Sequence, residues 1–232
     1  MCGRYSLSHS HQEIIDRFKV ELEMMEFSPR YNVAPSQRVP IITDEQQDDG
    51  NYVRKMEAVQ WGLIPSWAKE IRPMINARAE TVIDKPTFRA AFKRRRCLIP
   101  ADGFYEWMGE KKKKLPVRIH IKGNGIFAFA GLYEDKHIPD GVLRTCTIIT
   151  TAANDTVSGV HDRMPVILHP SDETFWLRAA EDEKEKLAQL LRPYPDDETE
   201  FYRVSTIVNS ARKDVPECIQ PEEVVEQVKL EI

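Results

Sequence analysis

Cys97-Leu98-Ile99-Pro100-Ala101-Asp102-Gly103-Phe104-Tyr105-Glu106-Trp107-Met108 is the stretch whose pattern decides the fold. Two short apolar runs, Cys97–Ala101 and Phe104–Met108, flank the turn-forming pair Asp102-Gly103, which is how a strand, a bend and a second strand are written. The same grammar continues outward. Leu115–Ile121, Ile126–Ala130, Leu143–Thr151 and Pro165–Leu168 read as further strands, separated by breakers that include Lys111–Lys114 and Gly123-Asn124-Gly125. Upstream, Val39–Thr43 and Tyr52–Trp61 read as strands around a polar hairpin loop, Asp44–Asn51, and Tyr31-Asn32-Val33-Ala34-Pro35 is extended or turn-like because of Pro35. Ser10-His11-Gln12-Glu13 fits a capping box, and Ile14, Ile15, Phe18 and Leu22 follow at helical spacing, which predicts a helix from about His11 to Lys19. Shorter helices are expected over Pro86–Lys93, Ser171–Ala180, Asp182–Leu191 and Pro221–Leu230. Many short strands, helices at intervals and no βαβ rhythm predict an α+β fold with a curved, largely antiparallel sheet, in one domain over residues 1–232.

Bulk properties exclude several classes. A chain of 232 residues can bury one sizeable core, and a net charge of −4 argues against a protein that is basic all over while allowing local basic surfaces. No apolar run approaches the ~20 residues that span a bilayer, and the N-terminus lacks an apolar leader, so an intracellular, non-membrane protein is expected. The cysteines (Cys2, Cys97, Cys146, Cys218) show no Cys-x-x-Cys pair. No metal, cofactor or disulfide framework is expected, and Cys97 and Cys146 read as small buried hydrophobes inside strands.

Cys2 is different because of where it stands. Removal of Met1 would leave it with a free α-amine beside its thiol, with reference pKa values near ~7.7–8.0 and ~8.5, so both are partly nucleophilic at neutral pH. Such a 1,2-aminothiol condenses with an aldehyde through its amine, and its thiol can then close a five-membered thiazolidine. An internal cysteine cannot do this, because its nitrogen is an amide.

Four other segments are rich in polar and aromatic groups: Trp61–Ala68 with two tryptophans around a Pro turn, Asn76-Ala77-Arg78-Ala79-Glu80-Thr81, Pro100–Trp107, and Gly159–Val166 with His161 and Arg163 in a loop entering a strand. Taken singly, each has an ordinary explanation: Trp67 packing a core, Glu106 on a solvated strand face, His161 as a satisfied loop histidine. Taken together and in order, these segments make the chain resemble the SRAP (SOS response-associated peptidase) family. The matching motifs are Met1-Cys2-Gly3-Arg4-Tyr5, Arg30–Pro35, Trp61–Trp67, Asn76–Thr81, Arg96–Pro100 with Gly103–Trp107, Phe129–Tyr133, and His161–Pro165, so the likeness spans residue 2 to about residue 168.

The resemblance implies an α+β domain around a barrel-like sheet. Its implied activity is to sense abasic sites in single-stranded DNA and shield them by a covalent thiazolidine crosslink through Cys2, with a self-processing, peptidase-type removal of Met1. It also implies roles. Cys2 is the nucleophile, Asn76 positions the N-terminus, and Glu106 and His161 move protons, Glu106 with a raised pKa if desolvated. Arg78 and Arg163 hold flanking phosphates, Arg4 is a weaker candidate for the same task, and Trp67 stacks on an unpaired base. The basic run Lys93–Arg96 could extend the DNA path, whereas Lys111–Lys114 reads as a solvated hairpin tip. A thiol peptidase and a non-covalent binder of single strands or modified bases are the alternatives. The expected setting is a monomer in the cytoplasm, nucleoid-associated in a bacterium, with replication-associated proteins as candidate partners.

Overall fold

The structure, a computed structural model, describes residues 2–109 and 114–222. In chain order its strands are β1 (Tyr5–Leu7), β2 (Leu22–Glu23), β3 (Arg30–Val33), β4 (Arg38–Gln46), β5 (Tyr52–Trp61), β6 (Asn76–Arg78) and β7 (Arg96–Ala101). There follow β8 (Gly103–Met108), β9 (Leu115–Ile121), β10 (Phe127–Ile138), β11 (Gly141–Ala152), β12 (Arg163–Pro165), β13 (Ile167–Leu168) and β14 (Thr199–Arg203). The helices are α1 (His11–Phe18), α2 (Ala79–Val82), α3 (Arg89–Arg94), α4 (Asp155–Ser158), α5 (Glu173–Arg178) and α6 (Lys184–Gln189). This is an α+β fold, as the strand pattern predicts, and none of these helices is long and apolar enough to cross a membrane.

Five strands close a ring. β7 pairs β4, β4 pairs β5, β5 pairs β11, β11 pairs β10, and β10 returns to β7. Every pairing in the ring is antiparallel except β5–β11, where Thr145 and Cys146 lie opposite Gln60 and Trp61. That parallel contact comes from long crossovers, which a reading of successive hairpins cannot foresee. A second, wholly antiparallel sheet runs β14-β9-β8-β1-β3. One core joins the two: Tyr5, Leu7, Phe104, Val117 and Ile119 of the second sheet pack with Val39, Ile41, Met56, Leu98, Phe129 and Ile148 of the ring. Side chains alternate across a strand. β8 therefore turns Phe104 and Glu106 to that shared core, while Tyr105 and Trp107 join a smaller outer cluster with Val204, Val208 and Cys218.

β1 is held from both sides and at both ends. It lies between β3 and β8, with Tyr5 opposite both Val33 and Phe104. At its far end the buried Asp102 carboxylate accepts from Ser6 Oγ (2.6 Å), Ser8 Oγ (2.7 Å), the Ser8 N–H and Arg118 Nη2 (2.8 Å), and contacts His9 Nδ1 (3.1 Å). Gly103 makes room for this, since a Cβ there would sit 2.6 Å from Arg118 Nε. These bonds, outweighing burial, hold the Asp102 carboxyl well below the usual carboxylate range. At its near end Arg4 Nη1 donates to Asn32 Oδ1 and to the Val208 carbonyl, both at 2.8 Å.

α1 has the expected start: Ser10 accepts from the Glu13 N–H (3.3 Å), the Glu13 carboxylate accepts from the Ser10 N–H (2.8 Å), and Ile14, Ile15 and Phe18 are buried. Lys19 at φ 55° ends the helix, so Leu22 leaves the helical face and lies exposed in β2. α3 starts at Arg89 rather than Pro86, because residues 86–88 form turns. The two late helices are shorter than expected, with a 3₁₀ turn, Glu181–Glu183, ahead of α6. β10 and β11 are longer than the apolar runs suggest: eight residue pairs from Gly131↔Ile148 to Ile138↔Gly141 carry the hairpin past the barrel into solvent. Thr199–Arg203, for which the sequence pattern predicts no strand, pairs with β9. The expected helix Pro221–Leu230 lies outside the described residues from residue 223 onward, as do Lys111–Lys113 of the basic tip. All four cysteines are free and buried.

Candidate functional site

β11 organises the site. Asn76 and Arg78 on β6 run parallel beside Ile148 and Thr150, and Arg163 on β12 runs antiparallel on the other side, opposite Ala152. One strand thus carries the two cations and the amide on its two flanks. Asn76 then reaches Cys2: its Nδ2 donates to the Cys2 carbonyl at 2.9 Å. Its Oδ1 is buried and has no hydrogen-bond partner among the described residues. An acceptor left unpaired in this way costs stability on the order of 1–3 kcal/mol, which is a familiar trait of sites built for a ligand.

Cys2 is fully buried in the shared core, with Sγ 4.0 Å from the Arg4 carbonyl. Burial pushes its thiol up, and the nearby Glu106 charge pushes in the same direction. Glu106 is 5% exposed, so the solvated-face explanation fails. Burial also raises its carboxyl, with the neighbouring His161 acting in the opposite direction. Glu106 therefore lies within electrostatic reach of both Cys2 and His161. His161 sits in the turn after α4, where its N–H donates to the Val157 carbonyl at 2.9 Å. Its Nδ1 lies 2.9 Å from both the Arg163 N–H and Asp162 Oδ1.

The cations differ in how they are engaged. Arg78 is exposed at the end of β6. Arg163 is held by the Glu80 carboxylate, through Nη1 and through Nη2 at 3.0 Å, and by the Thr150 carbonyl at 2.5 Å. Arg4, whose Nη1 makes both bonds to Asn32 and Val208, lies 5.9 Å over the Trp107 ring, and its buried Nε has no hydrogen-bond partner among the described residues. Trp67 is 66% exposed and lines an open groove of about 580 Å³ with Pro65, Lys69, Arg72 and Met74. Gly62, at φ +133°, turns the chain out of β5 into this loop, and a Leu63–Met74 bridge closes its base two residues before Asn76. The basic run Lys93–Arg96 is not a free cationic path. Arg94 pairs with Glu181 and Arg95 with Glu134, while the buried Arg96 donates to the carbonyls of Phe92, Lys93, Trp176 and Ala179. Burial lowers that guanidinium to about 10.

A family model described as SOS response associated peptidase (SRAP) matches residues 1–211. The chain belongs to the SRAP family. It is 44% identical over 227 residues to the abasic site processing protein YoqW of Bacillus subtilis, covering 95% of this chain and 99% of that one. It is also 32% identical to the abasic site processing protein HMCES of Xenopus tropicalis, covering 83% of this chain and 66% of the relative. A crystal structure of a protein from Bacteroides thetaiotaomicron superposes with a TM-score of 0.82 at 28% identity, covering 96% of this chain and all of that one.

Three supports of this SRAP site escape the sequence reading. Asp102 and Arg118 anchor β1, but they come from a bend and a strand that pattern alone leaves unconnected. Asn32 donates to Val208, Ser210 and Lys213 carbonyls, tying Arg4 to a segment more than 170 residues away. Glu80 grips Arg163, and here a signal existed, since Glu80 stands two residues after Arg78 in the quoted Asn76–Thr81 motif.

Proposed function

We propose that this SRAP protein captures abasic sites in single-stranded DNA by a covalent thiazolidine crosslink through Cys2, after Met1 is removed. The observation that carries the reading is the meeting of Cys2 with Asn76 and Glu106: an amide bonded to the Cys2 carbonyl and a buried carboxyl whose charge is felt at its thiol. The relatives named abasic site processing proteins support the same substrate.

The chemistry balances without a cofactor. An abasic deoxyribose exists partly as a ring-opened aldehyde. The Cys2 α-amine attacks its carbonyl carbon, forming a C–N bond, and loss of one water gives the imine. The thiol then adds to the imine carbon, its proton passing to nitrogen, and the ring closes. Because burial holds the thiol protonated, the amine is the first nucleophile and the thiol follows. Glu106, with its raised carboxyl, can donate the proton that lets water leave, and the His161 imidazole can pass protons to the sugar oxygen during ring opening. Arg78 and Arg163 would hold the flanking phosphates, and Trp67 offers a bare ring face for an unstacked base.

A general thiol protease fits less well. Its thiol is activated by a neighbouring imidazolium that lowers the pKa, whereas here burial and Glu106 both raise it. The test is incubation of wild-type and Cys2→Ser protein with an abasic oligonucleotide, followed by denaturing electrophoresis. Wild type should give a band that survives denaturation. Cys2→Ser should give no such thiazolidine band yet retain salt-sensitive binding. A stable adduct of equal yield from Cys2→Ser would remove Cys2 from its assigned role.

A further inference from the structure

Arg163 is an odd phosphate ligand as it stands. The Glu80 carboxylate fills its end-on fork, with Oε1 on Nη1 and Oε2 on Nη2 at 3.0 Å. The other Nη2 hydrogen goes to Thr150, whose carbonyl lies at 2.5 Å and whose Oγ1 lies at 3.4 Å. Nε is buried with no acceptor among the described residues. No two-pronged face of the guanidinium is left for a phosphate while Glu80 stays in place. Carboxylate and phosphate match the same fork, so the two anions compete for it. The partners differ in mobility of position: the Arg163 side chain is 12% exposed, whereas Glu80 is 53% exposed at the start of α2 and can swing into solvent. Arg78, two residues before Glu80, is exposed and carries no such clamp among the hydrogen bonds and ion pairs of the described residues. The Arg163 bond holds the Glu80 carboxyl below its ordinary range, so the competitor is charged at neutral pH.

We propose that Glu80 is a built-in competitor for the phosphate-binding fork of Arg163, weakening the hold on intact single strands so that retention depends on the covalent step. This rests on the DNA-capture reading above and deepens it. An undamaged strand would meet Arg78 and Trp67, fail to hold Arg163 for long, and leave. An abasic strand would have time for the aldehyde to react, after which affinity no longer matters. Selectivity would then lie in chemistry rather than in binding.

The experiment measures fluorescence anisotropy of an intact, non-abasic single-stranded oligonucleotide with the full chain across a salt series, so that no crosslink intervenes. Glu80→Gln keeps the shape of the side chain and removes its charge. It should bind roughly 3- to 10-fold tighter at low salt, with a log–log salt slope steeper by about 0.7, the value of one regained single-strand phosphate. In an Arg163→Ala background the same substitution should change neither quantity. Equal or weaker binding by Glu80→Gln, with an unchanged melting temperature, would overturn the proposal and make Glu80 a residue that positions Arg163. A gain that persists without Arg163 would also overturn it, since the effect would then be charge acting through space. If Glu80→Gln melts early, Glu80→Ala is read by the same criteria. Absence of salt-dependent binding in the wild type and every variant would instead defeat the DNA reading itself, and the proposal with it.

Discussion

At the scale of single residues, Glu106 and His161 carry the sharpest expectations. General acid/base groups contribute about 10²–10⁴-fold, so Glu106→Gln and His161→Ala should each slow adduct formation on an abasic oligonucleotide within that range while leaving non-covalent affinity nearly unchanged. A time course on a denaturing gel reads both; wild-type rates in both variants would make these residues structural. Glu106 also has a stability signature. Burial raises its folded pKa above the unfolded value of ~4.3, so the native state holds its proton more tightly and wild-type stability falls as pH rises between those two values. Glu106→Gln, which cannot ionise, should therefore melt higher than wild type at neutral pH and converge with it in acid. A variant that melts lower at neutral pH would show that the charged carboxylate is a net stabiliser.

At the scale of elements, the site depends on how β1 and the Trp67 loop are held. Asp102 has the opposite sign to Glu106. Its folded pKa is depressed, so its contribution is complete above the unfolded value of ~3.9 and is lost as pH falls toward the folded one. Asp102→Asn leaves the buried Arg118 guanidinium without its counter-charge and should cost about 3–5 kcal/mol in urea denaturation near neutral pH, shrinking in acid. A cost below about 1 kcal/mol would mean that Ser6 and the Asp102 carbonyl satisfy Arg118 unaided. Trp67 separates binding from folding. Because the ring is largely exposed, Trp67→Ala should leave the melting temperature almost unchanged while weakening single-strand binding by ~1–3 kcal/mol. An early melt would assign Trp67 to packing instead.

How legible these elements were follows from the range of the forces that make them. The capping box of α1, β5 and β9 could be read from local pattern, since their side-chain period and end signals are contained in a few residues. β1, β6 and β14 could not, because three to five residues without clean alternation become strands only through partners far along the chain. The same division holds in the site. Cys2, Asn76, Glu106 and His161 stood out by chemical type and motif, whereas Glu80, Asp102 and Asn32 act through ion pairs and carbonyls that only the folded chain supplies.

At the scale of the whole molecule, the ring of β4, β5, β11, β10 and β7 and the sheet containing β1 share one core, and Cys2 lies buried in that core rather than at a frayed end. β11 brings Asn76, Arg78 and Arg163 to its C-terminal end, on its two flanks, and β8 delivers Glu106 from the other sheet. A net charge of −4 fits the proposed DNA face being confined to that end of the strand, with acids such as Asp182 and Asp196 elsewhere. The central claim is that the N-terminal amine and thiol of Cys2 together form the bond to DNA. Intact-mass spectrometry of the product formed with an abasic single-stranded oligonucleotide tests it most directly. The account predicts one species, equal to the chain without Met1 plus the oligonucleotide less one water, and stable to denaturation. An adduct that retains Met1, or one formed equally well by Cys2→Ala, would contradict it.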